Sequence, residues 1–235
     1  MAVINDPTTA ANIVRVGMAS GMVWTPQHTT PGPLPVGNGG AFRLAAASGT
    51  MAASLGANSE IFQFRFVTGA SRVCLVHGIS ISAAILTMPA LSTTVAAGPF
   101  QLRATVARSW TAAGSGGTRF TLTGNNQKLR TGHATSEVND AGISTTGALT
   151  AGTKTLDSQD IGSITSSIYL ATAAGAADTS IIAKTNLLGE FSGAMAFPLI
   201  LVNQEGFVVR IGSAFPATMT WNFTVDVAWS EVDAF

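Results

Sequence analysis

From Trp221 to Trp229 every second residue is large and apolar. Trp221, Phe223, Val225, Val227 and Trp229 share one parity, while Asn222, Thr224, Asp226 and Ser230 take the other. Side chains alternate across a strand, so this run fits a pleated strand with one face in a core. Five large side chains on one face need a second layer to bury them, which makes this a core strand of a sandwich or barrel.

The same alternation recurs upstream. In Ile61–Val67 three phenylalanines alternate with Gln63 and Arg65, which predicts a half-buried strand with those two residues on its polar face. Arg72 to Met88, broken by Gly78, reads as one or two buried strands ending at Pro89. Phe100–Trp110 alternates, and after Gly114-Ser115-Gly116-Gly117 the alternation resumes at Thr118–Thr123, which predicts a hairpin. This glycine-rich connection opens no helix, so it lacks the context of a phosphate-binding loop. A second hairpin is expected where Ala196–Val202 and Phe207–Ile211 flank Asn203-Gln204-Glu205-Gly206. Between them, Gly124 to Gly162 is rich in Thr, Ser, Gly and Asn and reads as loop with short strands such as Thr153–Leu156. Ala171–Ala177 continues this, and a helical turn is expected near Asp178–Leu188.

No stretch of ten or more residues combines caps with a 3.6-residue period. Short strands with frequent turn signals predict an all-β fold, a β-sandwich of jelly-roll-like topology spanning residues 59–235. Residues 1–58 read instead as an extended N-terminal arm. Thr25–Pro35 carries four prolines, which fix φ and remove ladder donors.

Charge narrows what such a fold does. Only 10% of the 235 residues are charged, against about 25% in typical soluble domains, and the formal net charge is zero. A lone monomer stays soluble by displaying charge, so much of this surface is expected to be covered by partners. The mean hydropathy of +0.37 comes from scattered Ala, Val and Ile. The longest apolar run, Met195–Val202, is 8 residues with a proline inside. A bilayer needs about 20, so no membrane helix is expected. The N-terminus lacks a basic segment followed by an apolar run, so no secretory signal is expected and synthesis is assigned to the cytoplasm. Cys74, the single cysteine, sits in Val73-Cys74-Leu75-Val76 and reads as a small buried hydrophobe.

The balanced total hides opposite halves. Residues 1–136 hold nine basic residues and two acids, Asp6 and Glu60, whereas residues 137–235 hold three basic residues and ten acids. Two readings follow. The halves neutralise each other across adjacent strands, or the basic segment Arg103, Arg108, Arg119, Lys128 and Arg130 meets an acidic surface on a neighbouring subunit.

Chemistry-bearing motifs are sparse. His28, His77 and His133 lie far apart with no neighbouring His or Cys, so no metal site is expected. Neither Gly-x-Ser-x-Gly nor His-Glu-x-x-His occurs. The closest acid pairs, Asp157 with Asp160 and Glu231 with Asp233, read as solvated surface rather than as a glycosidase pair. Asn222-Phe223-Thr224 matches a glycosylation sequon but lies in the core strand. Trp110 and Phe120 within the basic segment give thin support for nucleic-acid stacking, and none is expected. No catalytic, cofactor-binding or metal residue is assigned, and the chain reads as a non-enzyme.

Ala107-Arg108-Ser109-Trp110-Thr111, Gly117–Thr131, Ala148–Asp157, Asn203–Arg210, Pro216–Thr218 and the Trp-rich last strand together resemble a family of virion structural proteins of tailed bacteriophages, over about residues 100–232. The resemblance implies a place in the particle and supplies no active-site residues. The leading expectation is a head decoration or cement protein that clamps the major capsid protein from outside, as a homotrimer. The alternatives are a tail, baseplate or fibre component, or a carbohydrate-binding module, for which only Trp24, Trp110 and Tyr169 lie outside the obvious core pattern.

Overall fold

The computed structural model describes residues 3–5, 13–16, 23–24, 40–52, 55–69, 72–87, 99–122, 124, 127–167, 181–188, 198–215 and 219–233. Among these there is no helix, hence none long and apolar enough to cross a membrane. The strands are β1 (Val3–Asn5), β2 (Ile13–Val16), β3 (Val23–Trp24), β4 (Gly40–Ala47), β5 (Glu60–Phe66), β6 (Arg72–Thr87) and β7 (Phe100–Ala112). They continue as β8 (Thr118–Arg119), β9 (Val138–Ile143), β10 (Thr153–Ser166), β11 (Ile181–Asn186), β12 (Leu199–Leu201), β13 (Glu205–Ile211) and β14 (Thr220–Asp233).

The chain divides into two compact units, Met1–Val36 and Gly37–Phe235. In the first, β1, β2 and β3 form a small antiparallel sheet.

The second unit is a sandwich of two antiparallel sheets. One has the order β11-β6-β14-β4, with β12 also paired to β6; the other has the order β10-β7-β13-β5-β9-β8. Followed along the chain, β4, β6, β11 and β14 belong to the first sheet and β5, β7, β10 and β13 to the second. Apart from the passage from β7 to β10, each step in this series of eight changes sheet. That alternation, with β14 between β4 and β6 and with β13 between β5 and β7, is the jelly-roll arrangement of two Greek keys. Strands β8 and β9, inserted between β7 and β10, extend the second sheet beyond β5.

The core lies between the sheets. Trp221, Phe223, Val225, Val227 and Trp229 of β14 are all buried, as the alternation requires. Trp229 stacks on Phe42 of β4 at 5.4 Å and meets Phe64 of β5 edge-on at 5.1 Å. At the other end Trp221 meets Phe100 and Phe215 edge-on at 5.2 and 5.1 Å. Such pairs add to the large apolar area that each ring buries.

Several expectations are corrected. The arm does not extend to residue 58, because β4 pairs along β14 from Gly40 to Ala47 and Phe42, Leu44, Met51 and Leu55 enter the core. The four-proline stretch lies outside the described residues. Neither expected hairpin forms. β7 lies between β10 and β13 while β8 pairs with β9, and β12 pairs with β6 while β13 lies between β5 and β7. The jelly roll separates strands that neighbour each other in sequence. The middle holds more strand than expected, since β10 runs over 14 residues. The helical turn expected near residues 178–188 is replaced by β11, paired with Ser80–Ala84 of β6. Finally, β5 is buried on both faces, Gln63 and Arg65 included.

The oppositely charged halves pair within the chain. Arg103 meets Asp160 at 3.1 Å, Arg108 meets Asp157 at 3.2 Å and Glu205 at 2.6 Å, and Arg119 meets Asp140 at 3.1 Å. Asp160 also takes Arg210 at 3.1 Å and accepts from the Thr105 hydroxyl. Burial alone would raise this carboxyl, but the Thr105 and Arg210 hydrogen bonds and the Arg103 charge outweigh it and hold it below the ordinary value. The acid pair Asp157 and Asp160 is thus an ion-pair anchor on the outer side of β10, β7 and β13.

Candidate functional site

The two outer faces of the sandwich differ in chemistry. The ion pairs of Arg103, Arg108 and Arg210 cover one side. On the five-stranded sheet the outward positions form rows of small residues: Ala47, Thr224 and Ser82 in one register, and Ala45, Asp226 and Ser80 in the next. The Ser82 and Thr224 hydroxyls bond each other at 2.6 Å. On this face Asp226 pairs with both Lys184 and Arg43. At the same sheet's edge, Ile181 of β11 is 77% exposed, Ile200 of β12 is 51% exposed, and Val202, just past β12, is 47% exposed. A face of short side chains loses little rotamer freedom on being covered, and exposed aliphatic residues gain from it.

A second cluster is enclosed on the outer side of the six-stranded sheet. The segment 144–152 folds over β5, with the Leu149 amide donating to the Glu60 carbonyl at 2.8 Å, and it is tied to 113–117 by the Thr150 amide donating to the Ser115 carbonyl. Gly114 permits this closure, because a Cβ there would stand 2.2 Å from the Thr150 carbonyl oxygen and 2.4 Å from Gln63 Oε1. Beneath lie Lys154 and Glu60, with side chains 2% and 7% exposed and 2.8 Å apart. Gln63 Nε2 donates to the same Glu60 oxygen at 2.6 Å and to the Thr150 carbonyl at 2.7 Å, while Arg119 donates to Gln63 Oε1 at 2.9 Å. The Lys154 nitrogen sits 4.3 Å from the Trp110 ring centroid. Sequence reasoning placed Gln63 on a solvated face and singled out neither Glu60 nor Lys154. The signal was thin, for the cover comes from segments far along the chain.

Glu231, read from sequence as exposed, is 2% exposed. Its carboxylate accepts from Ser136 Oγ at 2.6 Å, the Glu137 amide at 2.9 Å and Trp229 Nε1 at 3.1 Å. Burial raises its pKa above the ordinary 4.5, against the pull of these donors. A raised folded-state pKa means that stability from this group is complete below pH 4.5 and is lost as pH rises through the raised value. Thermal midpoints across this range are expected to show that decline, and Glu231→Gln to flatten it.

The remaining sequence candidates have structural partners. His133 Nδ1 accepts from the Ala41 amide at 3.1 Å, and His77 Nε2 bonds Ser230 Oγ at 2.8 Å; His28 lies outside the described residues. Cys74 is fully buried, and burial, with Glu231 nearby, raises its thiol well above the ordinary range. Among the described residues no three His, Cys, Asp or Glu side chains group together to hold a metal ion. Trp110 is buried. Tyr169 and the Trp24 side chain lie outside the described residues.

The chain matches no family model, no curated protein and no solved structure.

Proposed function

We propose that the chain is a non-enzymatic structural protein of a bacteriophage virion, a decoration or cement protein that binds the major capsid protein shell from outside as a homotrimer. It needs no cofactor, nucleic acid or membrane, and it is made in the host cytoplasm before joining the outer capsid surface. The observation that carries this reading is the distribution of polarity. A chain with only 10% charged residues uses most of them in internal ion pairs and leaves one sheet with small residues and exposed Ile181, Ile200 and Val202. Such a surface suits close contact with other subunits. The jelly roll recurs in viral capsid domains and also in lectins, which supports the reading by analogy only. The burial of Trp110 removes one of the three aromatics that a glycan-binding reading relies on.

The test is sedimentation of the purified chain with phage heads that lack their decoration, together with its own sedimentation equilibrium. Trimers that co-sediment with heads support the proposal, whereas binding only to tails moves the chain to a tail, baseplate or fibre role. Removing residues 1–36, which form a separate unit, is expected to leave the thermal midpoint of the sandwich unchanged. The same truncation is expected to weaken head binding about tenfold or more, a loss of about 1.4 kcal/mol. Undiminished binding of the truncated chain would remove the arm from the clamp.

A further inference from the structure

The enclosed cluster under segments 113–117 and 144–152 holds the parts of an acyl-transfer reaction. A primary amine, a carboxamide and a carboxylate meet at one atom. Lys154 Nζ and Gln63 Nε2 both contact Glu60 Oε2, at 2.8 and 2.6 Å. Gln63 is fully buried, and its carbonyl oxygen takes a hydrogen bond from the Arg119 guanidinium at 2.9 Å, the contact that polarises a carbonyl toward attack. Arg119 is held in turn by Asp140 at 3.1 Å. The Trp110 ring closes the amine's other side. Internal salt bridges alone do not require an amide so placed.

We propose that Lys154 and Gln63 become joined by an intramolecular isopeptide bond, with Glu60 as the shared acid and base and Arg119 stabilising the oxygen that becomes negative. Glu60 takes a proton from the Lys154 ammonium, and the free amine attacks Gln63 Cδ. A Cδ–Nζ bond forms and the carbonyl electron pair moves onto Oε1, facing Arg119. Glu60 then gives its proton to Nε2, the Cδ–Nε2 bond breaks, and nitrogen leaves as ammonia. The second Nζ proton passes through Glu60 to that ammonia. One ammonium and one carboxamide thus become one secondary amide and one ammonium ion, with no oxidant or co-reactant. Burial draws the Lys154 pKa below its ordinary value against the opposing pull of Glu60, which favours the free amine. The bond would fasten the start of β10 to β5, two strands that are not adjacent in their sheet.

Intact mass spectrometry of the purified full chain, held folded at neutral pH, tests this. The expected mass is lower than the sequence requires by one ammonia. A tryptic digest should contain a branched peptide joining the chain around Gln63 to that around Lys154, with no cleavage after Lys154. Lys154→Arg and Glu60→Gln are expected to restore the full mass. A wild-type chain at full mass overturns the proposal, and that measurement stands even if a variant fails to fold. A loss of ammonia that persists in Lys154→Arg, as from ring closure at Asn38-Gly39, overturns it too. A bond that still forms in Glu60→Gln overturns the role given to Glu60.

Discussion

Trp229→Ala is expected to lower the unfolding free energy by roughly 3 to 5 kcal/mol, the usual cost of removing a buried tryptophan. Trp229 is 1% exposed and joins the two sheets, stacking on Phe42 within its own sheet and meeting Phe64 across the core. Its Nε1 also donates to Glu231, so the change leaves a void and removes one of that carboxylate's donors. Domains of ordinary stability unfold at about 5 to 15 kcal/mol, and the variant loses a large share of that. Trp229→Phe keeps most of the packing and should retain most of the stability. Urea titration followed by tryptophan fluorescence measures both, and an alanine variant within about 1 kcal/mol of wild type would contradict the packing described.

Glu231→Ala is expected to cost about 3 kcal/mol, because it leaves the Ser136 hydroxyl, the Glu137 amide and the Trp229 indole without their acceptor. Its effect is wider than one strand. Ser136 Oγ also accepts from the Val138 amide at 3.1 Å, so the carboxylate on β14 holds the entry to β9 in the opposite sheet. Glu231→Gln keeps one carbonyl acceptor and should cost less than alanine. Equal losses for the two variants would show that the carboxylate's hydrogen bonds contribute little, a result that paired urea titrations would reveal.

The inner strands were legible where large apolar residues on the core-facing side alternate with polar ones on the other. β14 announces itself through five large residues of one parity, and β5 through its phenylalanines. β10 did not, since it lies at the edge of its sheet and its register against β7 shifts three times. Those shifts break the period of two on which a sequence reading depends. The hairpins were misread for a different reason. Their strands were recognised, but adjacency in sequence was taken for adjacency in space, and the jelly roll sends most successive strands to opposite sheets. The Lys154 cluster escaped because alternation assigned Gln63 and Arg65 to water. Nothing local records that residues 144–152 return to cover β5, or that the Arg65 guanidinium donates to the carbonyls of Trp110 and Thr111 at 2.8 and 3.0 Å.

The alternation of strands between sheets also governs how quickly the chain reaches its final form. β4 must find β14, and β5 must find β13, across most of the sandwich sequence, so few native pairings arise from short loops. Chains dominated by such distant pairings fold slowly, in milliseconds to seconds, because loop closure must come before the stabilising contacts. Until β14 settles between β4 and β6, the aromatic faces of the strands that precede it stay open to misassociation. Closure of the sandwich therefore waits on Thr220–Asp233 to emerge.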